Sequence, residues 1–109
     1  MPPEDRVRLL HMIEAAEEAM RFAAGQSETT LATDRKTLLA AIRCIEIIGE
    51  AAARVSAATR ESAPDVPWNA IVGMRNRLVH AYFDVDADLV WKTISVELPA
   101  LKGRLQTLV

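Results

Sequence analysis

Apolar residues recur at alternating spacings of four and three along most of this 109-residue chain. Leu9, Ile13, Ala16, Met20 and Ala23 line one face of a predicted helix from about Glu4 to Ala24. Pro2 and Pro3 precede it, and Gly25 ends it. After a polar connection, Leu38, Ala41, Ile45, Ile48, Ala52 and Val55 keep the same rhythm in a second helix running to about Thr59. Ser27 and Asp34 are alternative N-caps for it. Arg43, Glu46, Glu50 and Arg54 occupy its other side, with Glu50 and Arg54 spaced as a surface pair. Gly49 is costly inside a helix and marks a close approach by a neighbour.

Pro64 and Pro67 punctuate a loop from Glu61 to Val66, and Pro67 suits the first turn of a third helix reaching about His80 or Tyr82. The run Phe83-Asp84-Val85-Asp86 breaks that pattern, and an aspartate there can cap a fourth helix. Ala87, Trp91, Ile94, Leu98, Leu101, Leu105 and Leu108 form its stripe, which Pro99 should kink. No strand-type alternation of useful length is present. The prediction is an all-α protein: one domain over residues 1–109, folded as an antiparallel four-helix bundle with narrow, heptad-like stripes. An apolar face left over for dimerisation is compatible with this pattern.

Composition supports helix and narrows the function. Half the residues are hydrophobic, and the formal charge is −2. A near-neutral chain has no broad field to capture nucleic acid, so any such contact needs a local basic patch. The single cysteine, Cys44, excludes an internal disulfide and a cysteine-based zinc site, and its apolar setting reads as a small buried side chain. No apolar run is long enough for a signal peptide or membrane span, so a soluble cytoplasmic protein without membrane contact is expected.

Most of the chemistry lies between Gly73 and Phe83. With Trp68 at zero and about 100° per residue, Ile71, Val72, Leu78, Val79 and Tyr82 share an arc of roughly 120° with Trp68. Arg75 falls inside that arc. Either its stem packs while the guanidinium reaches water or a carboxylate such as Glu46 or Glu50, or the guanidinium is held half-buried to meet an anion. His80 is either a helix-end residue compensating the dipole or a general acid–base. Tyr82 reads as a core aromatic with its hydroxyl at the edge. Asn76 precedes His80 by four and shares its strip with Asn69 and Gly73. Arg75 and His80, five apart, point about 140° away from each other on an ideal helix. Their convergence needs a helix end near His80, the reach of arginine, or a second copy across a two-fold axis.

Two metal readings fail. Asp84, Asp86 and Asp88 have calcium-loop spacing, but Leu89 stands at the glycine position and Ser95 at the twelfth. His11 and His80 are the only histidines and are not at metal spacing, so no metal or cofactor is expected.

The stretch GMRNRLVHAYFDVD, Gly73 to Asp86, resembles the signature of HepT-like proteins of the HEPN family. The run Ile45-Glu46-Ile47-Ile48-Gly49-Glu50-Ala51-Ala52 is similar to that family's second-helix motif, and Trp68, Val90-Trp91 and Leu98-Pro99-Ala100-Leu101 also match. The resemblance implies a dimeric HEPN-type bundle of four, up to five, helices. It implies a metal-independent endoribonuclease toxin, paired with a minimal nucleotidyltransferase antitoxin and acting on RNA as a homodimer. The family's catalytic arginine and histidine correspond to Arg75 and His80, its polar residue after the arginine to Asn76, and its AMP-accepting tyrosine to Tyr82. Many relatives carry glycine where Ala81 stands. The competing reading is a non-catalytic helical partner subunit, or nucleotide-binding module, of such a transferase. A degenerate member that only dimerises is a third.

Overall fold

The computed structural model describes residues 1–81 and 84–109, and these are mostly helical. Helix α1 spans Pro3–Ala23 and α3 spans Arg35–Arg54, with the short α2, Glu28–Thr33, between them. Both candidate N-caps are used, each by its own helix. The Ser27 side chain accepts from the Thr30 N–H at 3.2 Å and opens α2, and Asp34 accepts from the Thr37 N–H at 3.1 Å and opens α3. Gly25, at φ +79°, makes the turn out of α1, a conformation that side chains rarely adopt.

The two long helices form the principal packing pair of the fold. They run antiparallel, because the start of α1 sits on the end of α3: Arg8 Nη1 donates to the Arg54 carbonyl at 2.9 Å. Alanines at 15, 16, 19 and 23 on α1, with Ala41, Ala51 and Ala52 on α3, are buried between larger side chains such as Leu9, Met12, Ile45 and Ile48. The expected α3 stripe is buried throughout, but Ile42, Cys44 and Gly49 are buried beside it. The buried arc is wider than a narrow seam, because α3 is covered by α1 and also by the elements after residue 67.

Helix α3 ends at Arg54, not near Thr59. Val55 is extended, and α4, Ala57–Ser62, starts anew from Ser56. The cause is Asp5. Its buried carboxylate accepts from the Ser56 N–H at 3.1 Å, Ser56 Oγ at 2.5 Å and Thr59 Oγ1 at 2.6 Å. Those donors, led by the two hydroxyls, hold its carboxyl below the ordinary value, against the opposing effect of burial. Arg60 closes the end of α3 by donating to the Ala52 and Val55 carbonyls. Glu61 and Ser62 are therefore helical rather than part of the loop. Glu50 pairs with Arg43 at 3.4 Å instead of with Arg54.

Past Pro67 come α5, Trp68–Val72, and α6, Met74–Leu78, then strands β1, Val79–Ala81, and β2, Asp84–Val85. The remaining helix is composite: α7, Ala87–Lys92, a π-helical turn, Thr93–Glu97, and α8, Leu98–Gln106. Pro99, the expected site of a kink, sits in the first turn of α8, directly after the π-helical turn. Its π-helical turn and α8 lie along α1, its α7 packs on α2 and α3, and α5 and α6 pack on α3. Among the described residues no helix is long and apolar enough to cross a membrane.

Candidate functional site

Gly49 sets the position of α5. A Cβ there would stand 3.2 Å from the carbonyl oxygens of both Ile71 and Val72, so the close approach expected of this glycine is made by α3 on α5. Trp68 anchors the other end of α5, donating from Nε1 to the Ala63 carbonyl at 3.1 Å from a buried position, with the Arg60 guanidinium over its ring.

The third helix is not continuous, and this corrects the reading of Arg75. The chain breaks at Gly73, at φ −90° and ψ 4°, and α6 begins on a new phase. Met74 takes the inward position and is buried, whereas Arg75 is exposed and Val72, expected inside, is 40% exposed. Burying a thioether carries no charge-desolvation cost, and burying a guanidinium does. Arg75, Asn76 and Arg77 therefore stand on the solvent side of α6, with Met74 and Leu78 beneath them. Glu46 and Glu50, the carboxylates considered for Arg75, pair with Arg43. Among the described residues neither Arg75 nor Arg77 forms an ion pair.

Of the three routes to convergence, a helix end near His80 is present. α6 stops at Leu78, where the expected helix would have continued, and Val79 turns extended at φ −123° and ψ 109°. His80 lies on β1, paired antiparallel with β2 through Val79 against Val85 and Ala81 against Asp84, with an irregularity between. The 100°-per-residue argument thus ceases to apply two residues before the imidazole. Two-residue and three-residue strands flanking a helix end leave no period-2 pattern long enough to be read in sequence.

The imidazole is exposed, and its Nε2 is 4.0 Å from Asp86 Oδ2. The other Asp86 oxygen accepts from the Leu89 N–H at 3.0 Å, capping α7 as expected, and the Asp86 N–H donates to the Leu78 carbonyl at 2.8 Å. Asp86 was legible as a cap but not as a neighbour of His80, since only the hairpin brings them together. Tyr82 lies outside the described residues. Among the described residues no group of three or more His, Cys, Asp or Glu is placed to hold a metal ion. A groove of about 440 Å³ runs between α5–α6 and α8, lined by apolar residues such as Ala70, Met74 and Leu101. Arg77 and Arg104 border it, but Arg75 and His80 do not line it.

An exposed arginine and asparagine on α6 are thus followed, just past the helix end, by an exposed histidine beside a carboxylate. The model of a family described as ribonuclease HepT-like matches residues 12–108. A protein of Thermococcus cleftensis named a probable ribonuclease HepT is 43% identical over 69% of this chain and 68% of its own length. A protein of Methanocaldococcus jannaschii named as a candidate RNase is 34% identical over 90% of each chain. Another so named, from Caldanaerobacter subterraneus, is 35% identical over 93% of this chain and 90% of its own. No solved structure gives a significant match. A match over nearly the whole chain, including the helix that bears Arg75 and the strand that bears His80, establishes that this protein belongs to the ribonuclease HepT-like family.

Proposed function

We infer that this protein is a metal-independent endoribonuclease toxin that acts as a homodimer and is held in check by a cognate nucleotidyltransferase antitoxin. The observation that carries this reading is the exposure of Arg75, Asn76 and His80 around one helix end, in a chain of the ribonuclease HepT-like family. RNA brings its own nucleophile. His80 takes the proton from a 2′-hydroxyl, whose oxygen attacks the adjacent phosphorus, and the bond to the 5′-oxygen breaks. The 5′-oxygen takes a proton from water as it leaves, giving a 2′,3′-cyclic phosphate and a 5′-hydroxyl. The Arg75 guanidinium donates its planar fork to the phosphoryl oxygens as charge accumulates on them, and Asn76 supplies a neutral donor beside it.

Dimerisation has a physical motive here. The groups lie on an open surface, where water competes for every hydrogen bond. A second copy facing this surface would wall off the phosphate and bring two Arg75 guanidiniums together, one from each chain. AMP on Tyr82, two residues from His80 in sequence, would add bulk and negative charge where substrate phosphate must sit.

Purified protein incubated with RNA in excess EDTA should yield cyclic-phosphate ends. Arg75→Ala and His80→Ala should each slow this by about a thousandfold. Treatment with the transferase, ATP and magnesium should add one AMP by intact mass and stop cleavage, while Tyr82→Phe should keep cleaving. Absence of cleavage by unmodified protein over a wide panel of RNAs would instead favour a partner-subunit role.

A further inference from the structure

The geometry points to Asp86 as the positioning residue for His80, an inference that rests on the ribonuclease reading above. Three contacts converge on this one side chain and its backbone. Its N–H is bound to the Leu78 carbonyl at 2.8 Å, at the end of the helix that carries Arg75. Its Oδ1 is bound to the Leu89 N–H at 3.0 Å, at the start of α7. Its Oδ2 is left facing His80 Nε2 at 4.0 Å. The cap alone does not require a carboxylate, since serine and asparagine cap helices as well. The second oxygen is what the cap leaves over, and it faces the imidazole.

The consequence is directional. A carboxylate fixed at both its backbone and one oxygen cannot follow the histidine, so the histidine turns to it. The Nε2–H edge is drawn toward Asp86, and Nδ1 is the nitrogen presented outward to a 2′-hydroxyl. Because Asp86 also ties the end of α6 to the start of α7, the imidazole is referenced to the helix of Arg75 rather than to a free strand. Asp86 touches no reacting atom in this scheme. It acts through His80.

The variant Asp86→Asn separates cap from charge. Asparagine keeps the Leu89 contact and removes the negative oxygen. The expected result is an unfolding midpoint like that of the parent protein, an unchanged KM on a short fluorogenic RNA, and a kcat about fivefold lower, the scale of a half-exposed ion pair. The nitrogen resonances of the His80 side chain, read by NMR in 15N-labelled protein, should move in the same variant. Asp86→Ser, also a capping residue, should share the kcat loss. Parental kcat and unmoved His80 resonances in Asp86→Asn would overturn the inference, leaving Asp86 a cap only. So would a kcat loss that merely follows thermal stability across the two variants. If the parent protein cleaves no RNA, the ribonuclease reading fails, and the NMR comparison still decides whether Asp86 orients His80.

Discussion

The α1–α3 pair and the stretch from Trp68 to Asp86 are built on opposite terms. In the first, two helices of 21 and 20 residues bury alanines and branched aliphatics against each other. The one buried carboxylate there, on Asp5, is met by three donors. In the second, two five-residue helices and two shorter strands follow one another, and among the described residues Arg75, Asn76, Arg77 and His80 are exposed. A long packed pair supplies the folding energy. The short elements supply positions, and they hold their place because Gly49, Met74 and Leu78 seat them on α3 and the core. The proposed site lies where the described side chains keep hydrogen-bonding capacity unspent.

The comparison breaks most visibly by mutating the two regions separately. His80→Ala should cost about a thousandfold in cleavage and leave the thermal midpoint in place, because the imidazole is exposed. Ile48→Ala, at a fully buried position of α3, should do the reverse. It should lose about 3 kcal/mol in denaturant unfolding and keep its kcat per folded molecule. A stability loss in the first or a kcat loss in the second would show that the regions are not separable.

Next in size is Asp5. Its folded carboxyl is held below the ordinary value of 3.8 by the Ser56 and Thr59 hydroxyls. A lowered folded value means that its contribution is complete above the unfolded value and fades as pH falls through the folded one. Asp5→Ala should therefore lower the melting temperature clearly at pH 7, and the gap to the parent protein should narrow as pH drops below about 4. A gap independent of pH between 7 and 3 would mean that the carboxylate charge is not what holds Ser56.

The smallest effect lies at the joint between the regions. Gly49→Ala gains about 1 kcal/mol of helix propensity but forces its Cβ against two backbone carbonyls of α5, which cannot rotate away. Stability should change little, while cleavage should fall about threefold as α5 and the attached α6 shift by a fraction of an ångström. Higher stability with undiminished cleavage would show that α5 can move without disturbing Arg75.

Legibility followed the same division. The face of α1, the α3 stripe, both caps at Ser27 and Asp34, the turn at Gly25 and the approach at Gly49 were readable from spacing and residue type. Asn76 and His80 are exposed, on the polar side expected of them, but Arg75 was assigned to the wrong side, because an unbroken helix was assumed through Gly73. The break at Val55 was hidden because its cause, Asp5, lies 51 positions from Ser56. Asp86 was seen only in its local role.

Local sequence settles what depends on neighbours a few residues away: helical phase, caps, turns, and the presence of an arginine, an asparagine and a histidine within one signature. Packing alone decided where α3 stops, how α6 is rotated, that His80 sits on a strand, and that a carboxylate faces it. The reason is that these choices are set by burial and hydrogen bonds across the fold. A charge avoids the core, a carboxylate gathers donors from a distant turn, and a thioether fills the inward place, none of which periodicity along one helix can register.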